Sequence, residues 1–448
     1  MLSPAKAQSI AESLVERGMA AGATAADALY AGDRSSGVEV RLGNLEGVSR
    51  SEGEQIGLRL FSGQRSATVA SSDLSEDTLG VLVERCLAMA KEAPEDPYAG
   101  LAPPEMLQRG DAPFLDTIDE REPDPAELRA RALEAENAAM AVSGVTNSSG
   151  CSASASGSTI ALATSGGFSG AYRSTGHGCT AVSVAGEGAS MQRDYAGHSA
   201  RHLEDLESAA DIGRKAGQRA VARVNPVRPR PGKYPVIFDE RVSSTLLGHF
   251  IGAISGSSIA RKTSFLLDRL GEPVFARGVT IVDDPLRKRG LRSRPFDGEG
   301  LAVSRRELAS NGVLNGWIAE SASARQLGIK PTGHASRGVG GSPGAAPSNL
   351  FLEAGSRSRE ELLAAFPEAV LIVELIGQGV NPVTGDYSRG AVGFMVRDGA
   401  IAEPVSEITI ASNLVDMFAT LEPASDLEFR RGVDAPTILI PEMTVGAA

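Results

Sequence analysis

The stretch that most constrains the fold is residues 234–267, YPVIFDERVSSTLLGHFIGAISGSSIARKTSFLL. It opens with a short apolar strand at residues 235–238. Asp239 follows, and its carboxylate can accept hydrogen bonds from the first N–H groups of a helix. Apolar residues then recur at helical spacing as far as Ile254, so the pattern predicts a buried helix packed behind a buried strand.

The second half of this predicted helix carries three glycines. Gly248, Gly252 and Gly256 lie four residues apart, which places them on one helix face. Glycine costs about 1 kcal/mol relative to alanine in a helix interior. We therefore expect either that a second backbone approaches this glycine face closely or that the helix is irregular here.

The rest of the chain indicates an antiparallel fold in two parts. Polar and apolar residues alternate between turn residues over 38–71, and again over the serine- and glycine-rich segment 145–200, which is typical of antiparallel sheets. Residues 225–233 (NPVRPRPGK) hold three prolines and predict a linker. The sequence thus predicts an α+β protein with two domains, antiparallel-sheet-rich with flanking helices: an N-terminal domain at 1–224 and a β-dominated C-terminal domain at 234–448.

Composition limits the classes of function. The chain has 448 residues and a net charge of −12, which opposes nucleic-acid binding because that binding needs Lys and Arg to neutralise phosphates. The basic run 287–294 (RKRGLRSR) is interpreted as a solvated loop. The sequence shows no apolar run long enough for a membrane span and no signal-peptide core. Its three cysteines have no CxxC spacing, so a cytoplasmic protein is expected.

Several motifs together resemble one family. The order of strand, acidic residue, LLGH helix and RKTS run is similar to the core of the TldD/PmbA family, also called modulators of DNA gyrase. Further agreements are the runs FDGEG at 296–300, TGH at 332–334, PSNL at 347–350, NPVTGDYSRG at 381–390 and MTVG at 443–446. The resemblance covers nearly all of the second half and, more loosely, the first.

The resemblance also indicates a branch within the family. The resemblance implies that TldD-branch proteins carry an HExxxH zinc-protease motif on this helix. The first His, the Glu and the last His of that motif fall near Gly248, His249 and Ala253 of this chain. It also implies a cysteine ahead of the last strand, where residues 421–426 (LEPASD) contain none. The chain therefore resembles the PmbA (TldE) branch, and we expect no metal or other cofactor in it, with zinc only in a partner subunit.

A peptide cleft is implied near residues 347–355 (PSNLFLEAG). In the family this strand borders a groove in which an extended peptide is held by main-chain pairing, a mode that gives affinity with little side-chain selection. Asn349 and Phe351 are the candidate substrate-binding residues on the strand, with edge-strand packing as the alternative. His334, in the TGH run, is a third candidate.

Three functions stay open from the sequence. The first is a metal-free subunit of a heteromeric zinc peptidase that acts on unfolded or leader peptides with a TldD-like partner, the chain alone forming a possible homodimer. The second is a stand-alone hydrolase that uses His249, His334 or the Asp297/Glu299 pair. The third is a non-enzymatic regulatory binding protein. A zinc site needs three protein ligands. His198 and His202 have the spacing of a helical metal pair but are interpreted as solvated, and the His177/Cys179 pair has no third ligand nearby in sequence.

Overall fold

A computed structural model describes residues 1–447 of the chain. The first half contains helices α1 to α4 and strands β1 to β6: α1 Pro4–Ala20, β1 Ala25–Arg41, β2 Asn44–Ser62, β3 Arg65–Ser71, α2 Glu76–Glu92, α3 Pro125–Met140, β4 Val145–Thr164, β5 Phe168–Ala185, β6 Gln192–Ala200 and α4 Ala209–Ala222. Short 3-10 turns lie at Pro104–Met106, Gly188–Ser190 and Leu203–Asp205.

The second half begins with β7 Gly232–Phe238, α5 Glu240–Ile254, α6 Gly256–Ala260, β8 Ile281–Asp283, β9 Arg306–Ser310, β10 Val313–Leu314, α7 Ser321–Leu327, β11 Ala335–Ser336, β12 Gly344–Ala345 and β13 Leu350–Leu352. It ends with α8 Arg359–Leu363, β14 Glu368–Ile376, β15 Asp386–Arg397, β16 Ala400–Asn413, α9 Leu414–Thr420, β17 Glu422–Pro423, β18 Val433–Asp434 and β19 Ile438–Ala447.

The first half is one six-stranded antiparallel sheet in the order β3-β2-β1-β4-β5-β6. Helices α1 and α2 bury apolar side chains against β1 and β2, and α3 and α4 pack against the other end of the sheet. Strands β1 and β2 pair without a break from Ala25↔Phe61 to Arg41↔Asn44, apart from one bulge. The neighbouring strands β3 and β4 also pair with them and hold their glycine- and serine-rich parts in register.

The second half is built mainly of strands around one large core. Its six-stranded sheet has the order β16-β15-β14-β7-β19-β17, and a further pairing of β16 with β19 closes five of these strands into a ring. A separate five-stranded sheet has the order β10-β9-β8-β13-β18. Helix α5 buries Leu246, Phe250 and Ile254 in the core that joins the two sheets. The predicted α+β class, rich in antiparallel sheet and with a strand-rich C-terminal half, is confirmed.

The two halves of the chain contact each other through a loop of the second half. Arg337 reaches the buried carboxylate of Asp27 on β1, which also accepts a hydrogen bond from Arg59 Nε at 2.9 Å. The Val339 carbonyl lies against Gly57 on β2, so closely that a Cβ added at Gly57 would be 1.7 Å from its oxygen. The predicted domain limits stay a prediction, although the predicted linker 225–233 already contains the first residues of β7.

Candidate functional site

Helix α5 begins as the sequence predicts. The Asp239 side chain accepts a hydrogen bond from the Arg241 backbone N–H at 3.2 Å and so caps the helix. Arg359 donates to the other carboxylate oxygen at 2.7 Å, and Arg241 bridges from Asp239 to Asp194 of β6. The start of α5 is therefore fixed by buried charge pairs to both halves of the chain.

The glycine face of α5 does not have the close packing that the sequence suggested. Gly248 and Gly252 are exposed, and apart from the adjacent backbone of α5 itself no described atom would lie within 4 Å of a Cβ added at either. Gly256 is closely packed against Ala319 and Ser323, but it lies beyond the end of α5, in α6. The expectation of a second backbone along this face is wrong for the chain by itself, whereas the alternative of an irregular helix agrees with the extended Ser255 that separates α5 from α6.

The three positions that correspond to the zinc motif lie in different surroundings. Gly248 is exposed, His249 is half-buried, and Ala253 is 3% exposed and packs in the core. Of the three, only His249 offers a possible ligand atom.

Two residues of β15, Tyr387 and Arg389, lie beside His249. The rings of His249 and Tyr387 meet edge to face, with centroids 5.9 Å apart. Burial lowers the pKa of His249, and the charge of Arg389 lowers it further. Burial raises the pKa of Tyr387 to about 12, which the adjacent Arg389 offsets only in part. Among residues 1–447, His249 Nε2, the Tyr387 hydroxyl and Arg389 Nε have no hydrogen-bond partner.

These residues do not fit a zinc ion. No group of three or more His, Cys, Asp or Glu side chains is placed to hold a metal anywhere in the part of the chain that the structure describes. The carboxylates of residues 421–426 are engaged elsewhere: Asp426 accepts hydrogen bonds from Thr437, and Glu422 pairs with Arg357. Arg389 beside the one imidazole also opposes a divalent cation, since like charges repel strongly where burial lowers the effective dielectric constant.

His334 belongs to a buried polar network. Its Nδ1 lies 2.8 Å from the Thr332 hydroxyl, and its Nε2 lies 3.4 Å from a carboxylate oxygen of Asp283. Asp283 in turn accepts hydrogen bonds from the backbone N–H and the hydroxyl of Ser348. His334 is 2% exposed, so within this chain it positions the loop before β13 and does not face solvent.

Asn349 directly precedes β13 and Phe351 lies within it. The implied pairing with a peptide would require β13 to have a free edge. Strand β13 pairs with β8 on one side and with β18 on the other, so both of its edges are occupied. Main-chain addition of a peptide to β13 is therefore wrong for this chain. Asn349 is buried. Its Oδ1 accepts a hydrogen bond from the Arg292 backbone N–H, and its Nδ2 donates to the Asp284 carbonyl and the Ser293 hydroxyl.

Asp297 and Glu299 are buried and do not form a solvated turn. Asp297 accepts hydrogen bonds from three backbone N–H groups, those of Glu299, Leu301 and Ala335. Glu299 accepts from the N–H and hydroxyl of Ser321. Burial, together with the charge of Asp297, raises the pKa of Glu299 to about 7. These carboxylates organise a buried loop.

A cavity of about 220 Å³ opens beside Asn349, between the end of β6 and the loops 287–291 and 429–432. Six Arg or Lys side chains and two carboxylates line it, a surplus of four positive charges. Phe429, 39% exposed, forms part of its wall and meets the ring of Phe351 edge to face at 5.1 Å. The basic run that the sequence analysis interpreted as a solvated loop thus lines a cavity, because three segments distant in sequence converge here.

Comparison with known proteins gives a consistent family match. Residues 231–447 match the PmbA/TldA metallopeptidase C-terminal domain, residues 118–224 match its central domain, and residues 26–90 match its domain 1. The chain is 37% identical over 410 residues to a protein named metalloprotease PmbA from Escherichia coli O157:H7, which covers 91% of this chain and 89% of that protein.

Two solved structures share the fold. One is a proposed modulator of DNA gyrase from Bacteroides thetaiotaomicron, with a TM-score of 0.92, 24% identity and full coverage of both chains. The other is TldE from Thermococcus kodakarensis, with a TM-score of 0.87 and 20% identity over 98% of this chain and 100% of that one. Among the helices of residues 1–447, none is long and apolar enough to cross a membrane.

Proposed function

Because the chain belongs to the PmbA/TldD metallopeptidase family, we propose that it is the metal-free subunit of a heteromeric, zinc-dependent peptidase. A TldD-like partner subunit carries the zinc ion and hydrolyses the peptide bond. The substrates are unfolded peptides or leader peptides. The similarity to a protein named metalloprotease PmbA supports a peptidase-related function.

One observation carries the proposal. On α5, where the resemblance implies zinc ligands in the catalytic branch, this chain has an exposed glycine, one half-buried histidine and a buried alanine. A catalytic zinc needs three protein ligands and an open position for water, and the side chains around His249 supply an arginine and a tyrosine. The fold is therefore kept while the donor set of the metal site is absent from the described residues.

The chain's own titratable groups favour the subunit role over a stand-alone hydrolase. A general base must come within hydrogen-bond reach of the group it deprotonates. His334 and Glu299 are both less than 6% exposed. The imidazole of His334 lies against Asp283, and the carboxylate of Glu299 accepts from Ser321, so neither is free to reach a substrate. His249 is more accessible, but none of the carboxylates in residues 1–447 pairs with it to orient its ring.

The proposal is tested by metal content and reconstitution. We expect the purified chain to hold far less than one zinc per chain and to leave an unfolded reporter peptide intact. Mixing it with a TldD-like chain from the same organism should produce a stable complex that holds zinc and cleaves the peptide. Elemental analysis, size-exclusion chromatography and peptide fluorescence measure these three quantities.

The contrary outcomes are distinct. About one zinc per isolated chain, lost in His249→Ala and retained in His198→Ala, would place a metal site in this subunit. Cleavage by the chain alone, abolished by Glu299→Gln or His334→Gln, would favour the stand-alone hydrolase. A complex that forms but cleaves no better than the TldD-like chain alone would favour the regulatory protein.

A further inference from the structure

Several of the cations that line the cavity beside Asn349 have no carboxylate partner in the part of the chain that the structure describes. Among the described residues, Arg201, Arg287, Lys288 and Arg431 line it and none forms an ion pair with a carboxylate. The other cations of the cavity are different: Arg289 pairs with three carboxylates and Arg430 with two.

The two carboxylates of the cavity are already engaged. Asp205 pairs with Arg289, and Asp434 accepts hydrogen bonds from the backbone N–H groups of residues 430, 431 and 432. Neither is left to neutralise the four cations that have no carboxylate partner. Backbone carbonyls engage two of these four cations: Arg201 donates to those of Thr175, Gly290 and Leu291, and Arg431 to that of Glu240. An anion that enters this cavity therefore replaces solvent chiefly around Arg287 and Lys288.

Arg287 is held in an orientation suited to a planar anion. Its guanidinium carbon lies 3.2 Å from the centroid of the Phe429 ring, so the ring covers one face of the group. Stacking of this kind leaves the N–H groups at the edge of the guanidinium, where they bind a carboxylate in a two-pronged manner. Phe351 fixes the Phe429 ring from the side.

Size restricts the ligand to a side chain or a small anion. Pockets for drug-sized molecules measure about 300–1,000 Å³, and this cavity measures about 220 Å³. The Phe429 ring beside the basic side chains suits a glutamate or aspartate residue, whose aliphatic part can pack against the ring while its carboxylate meets the cations. An inorganic phosphate would use the cations alone.

We propose that this cavity binds an acidic side chain of a peptide, so that the peptidase to which the chain belongs prefers substrates with glutamate or aspartate at one position. The preference for substrates rests on the proposed function. Binding of the acidic side chain rests only on the cavity. The overall charge of −12 repels acidic peptides at a distance, so the local site supplies the attraction.

The binding test uses the full-length chain without its partner. Two fluorescent peptides are compared, one rich in glutamate and one with glutamine at the same positions. By anisotropy at low salt we expect the glutamate peptide to bind about tenfold more tightly, the usual scale for one charged hydrogen-bonded contact. The difference should shrink as NaCl rises, because salt screens exposed charges.

Variants assign the preference to the cavity. Arg287→Gln with Lys288→Gln should bring the two peptides to similar affinity. Lys330→Gln, which removes one exposed cation outside the cavity, should leave the preference unchanged. Lys288→Gln alone, at an exposed side chain, keeps the test valid if the double variant does not fold.

Each outcome decides one of the two proposals. Equal binding of both peptides to the unaltered chain, or an equal loss in Lys330→Gln, overturns the cavity proposal. So does competition by inorganic phosphate at concentrations where free glutamate has no effect. If the reconstituted complex cleaves no peptide while the isolated chain still prefers the glutamate peptide, the proposed function fails and the acidic-side-chain site stands.

Discussion

The exposed face of α5 makes a prediction whose sign depends on the structure. Gly252→Ala adds a methyl group at a helix-interior position where, apart from the adjacent backbone of α5 itself, no described atom would lie within 4 Å of the new Cβ. Alanine is favoured over glycine by about 1 kcal/mol in a helix and also restricts the unfolded chain. With nothing to oppose the methyl group, the free energy of unfolding should rise by about 0.5–1 kcal/mol.

Gly256→Ala is the matched control. A Cβ there would lie 2.5 Å from Ser323 Oγ and 3.0 Å from Ala319 Cβ, so the contact must be overpacked. Overpacking in a well-packed site typically costs about 1–3 kcal/mol. The two glycines are four residues apart, yet the substitutions should change stability in opposite directions.

The assay is urea denaturation followed by the fluorescence of Trp317. It is the single tryptophan of the chain and lies in the core that α5 helps to form. The isolated chain should unfold at higher urea in Gly252→Ala and at lower urea in Gly256→Ala. If Gly252→Ala destabilises the isolated chain, the glycine face is covered in solution and the description of α5 is wrong. If the partner subunit packs on this face, the same variant should also weaken the complex.

Three further predictions concern buried groups. Glu299→Gln should stabilise the chain above pH 7. Because the pKa of Glu299 is raised from 4.5 to about 7, the unaltered chain loses stability as pH rises through this window, by up to about 3 kcal/mol. Glutamine does not titrate, so the urea midpoint of the variant should not show this fall with pH. Tyr387→Phe should be neutral or stabilising by about 1 kcal/mol, because it removes a buried hydroxyl that has no partner in the described residues; a loss of more than about 1 kcal/mol would indicate a hidden partner. Gly57→Ala should destabilise by about 1–3 kcal/mol through the Val339 carbonyl, whereas Gly47→Ala on the same strand meets no atom within 4 Å and should not.

Local patterns were sufficient for the central strand and helix. The apolar run before Asp239, the capping side chain and the spacing of Leu246 and Phe250 predicted β7 and α5 correctly. The spacing of these apolar residues also indicates that the glycine face is exposed. At about 100° per residue, Gly248 is about 200° from Leu246 around the helix, so a face that buries Leu246 leaves Gly248 outside. The prediction of a closely packed glycine face is wrong because the apolar stripe, and not the spacing of the glycines, determines which face of α5 is buried.

The surroundings of the site depend on contacts that local patterns do not contain. Residues two apart on a strand point to the same side, so the sequence could have placed Tyr387 and Arg389 together, but not beneath His249. Whether β13 is an edge strand depends on β8 and β18, which lie far away along the chain. The run 287–294 was predicted to be solvated because its partner segments near residues 201 and 430 could not be known from local composition.

Arg389 adds an electrostatic argument to the proposal that this chain is a metal-free subunit. A metal site needs neutral or anionic donors, and a divalent cation near an arginine with no carboxylate partner in the described residues would be strongly disfavoured. Restoring the motif by Gly248→His, His249→Glu and Ala253→His would leave that charge in place. It would also force an imidazole into the core at position 253, where only 3% of the side chain's surface is exposed. The electrostatics of β15 and the packing of α5 therefore both support the proposal that this chain contributes protein surface to the complex and that the zinc chemistry belongs to a partner subunit.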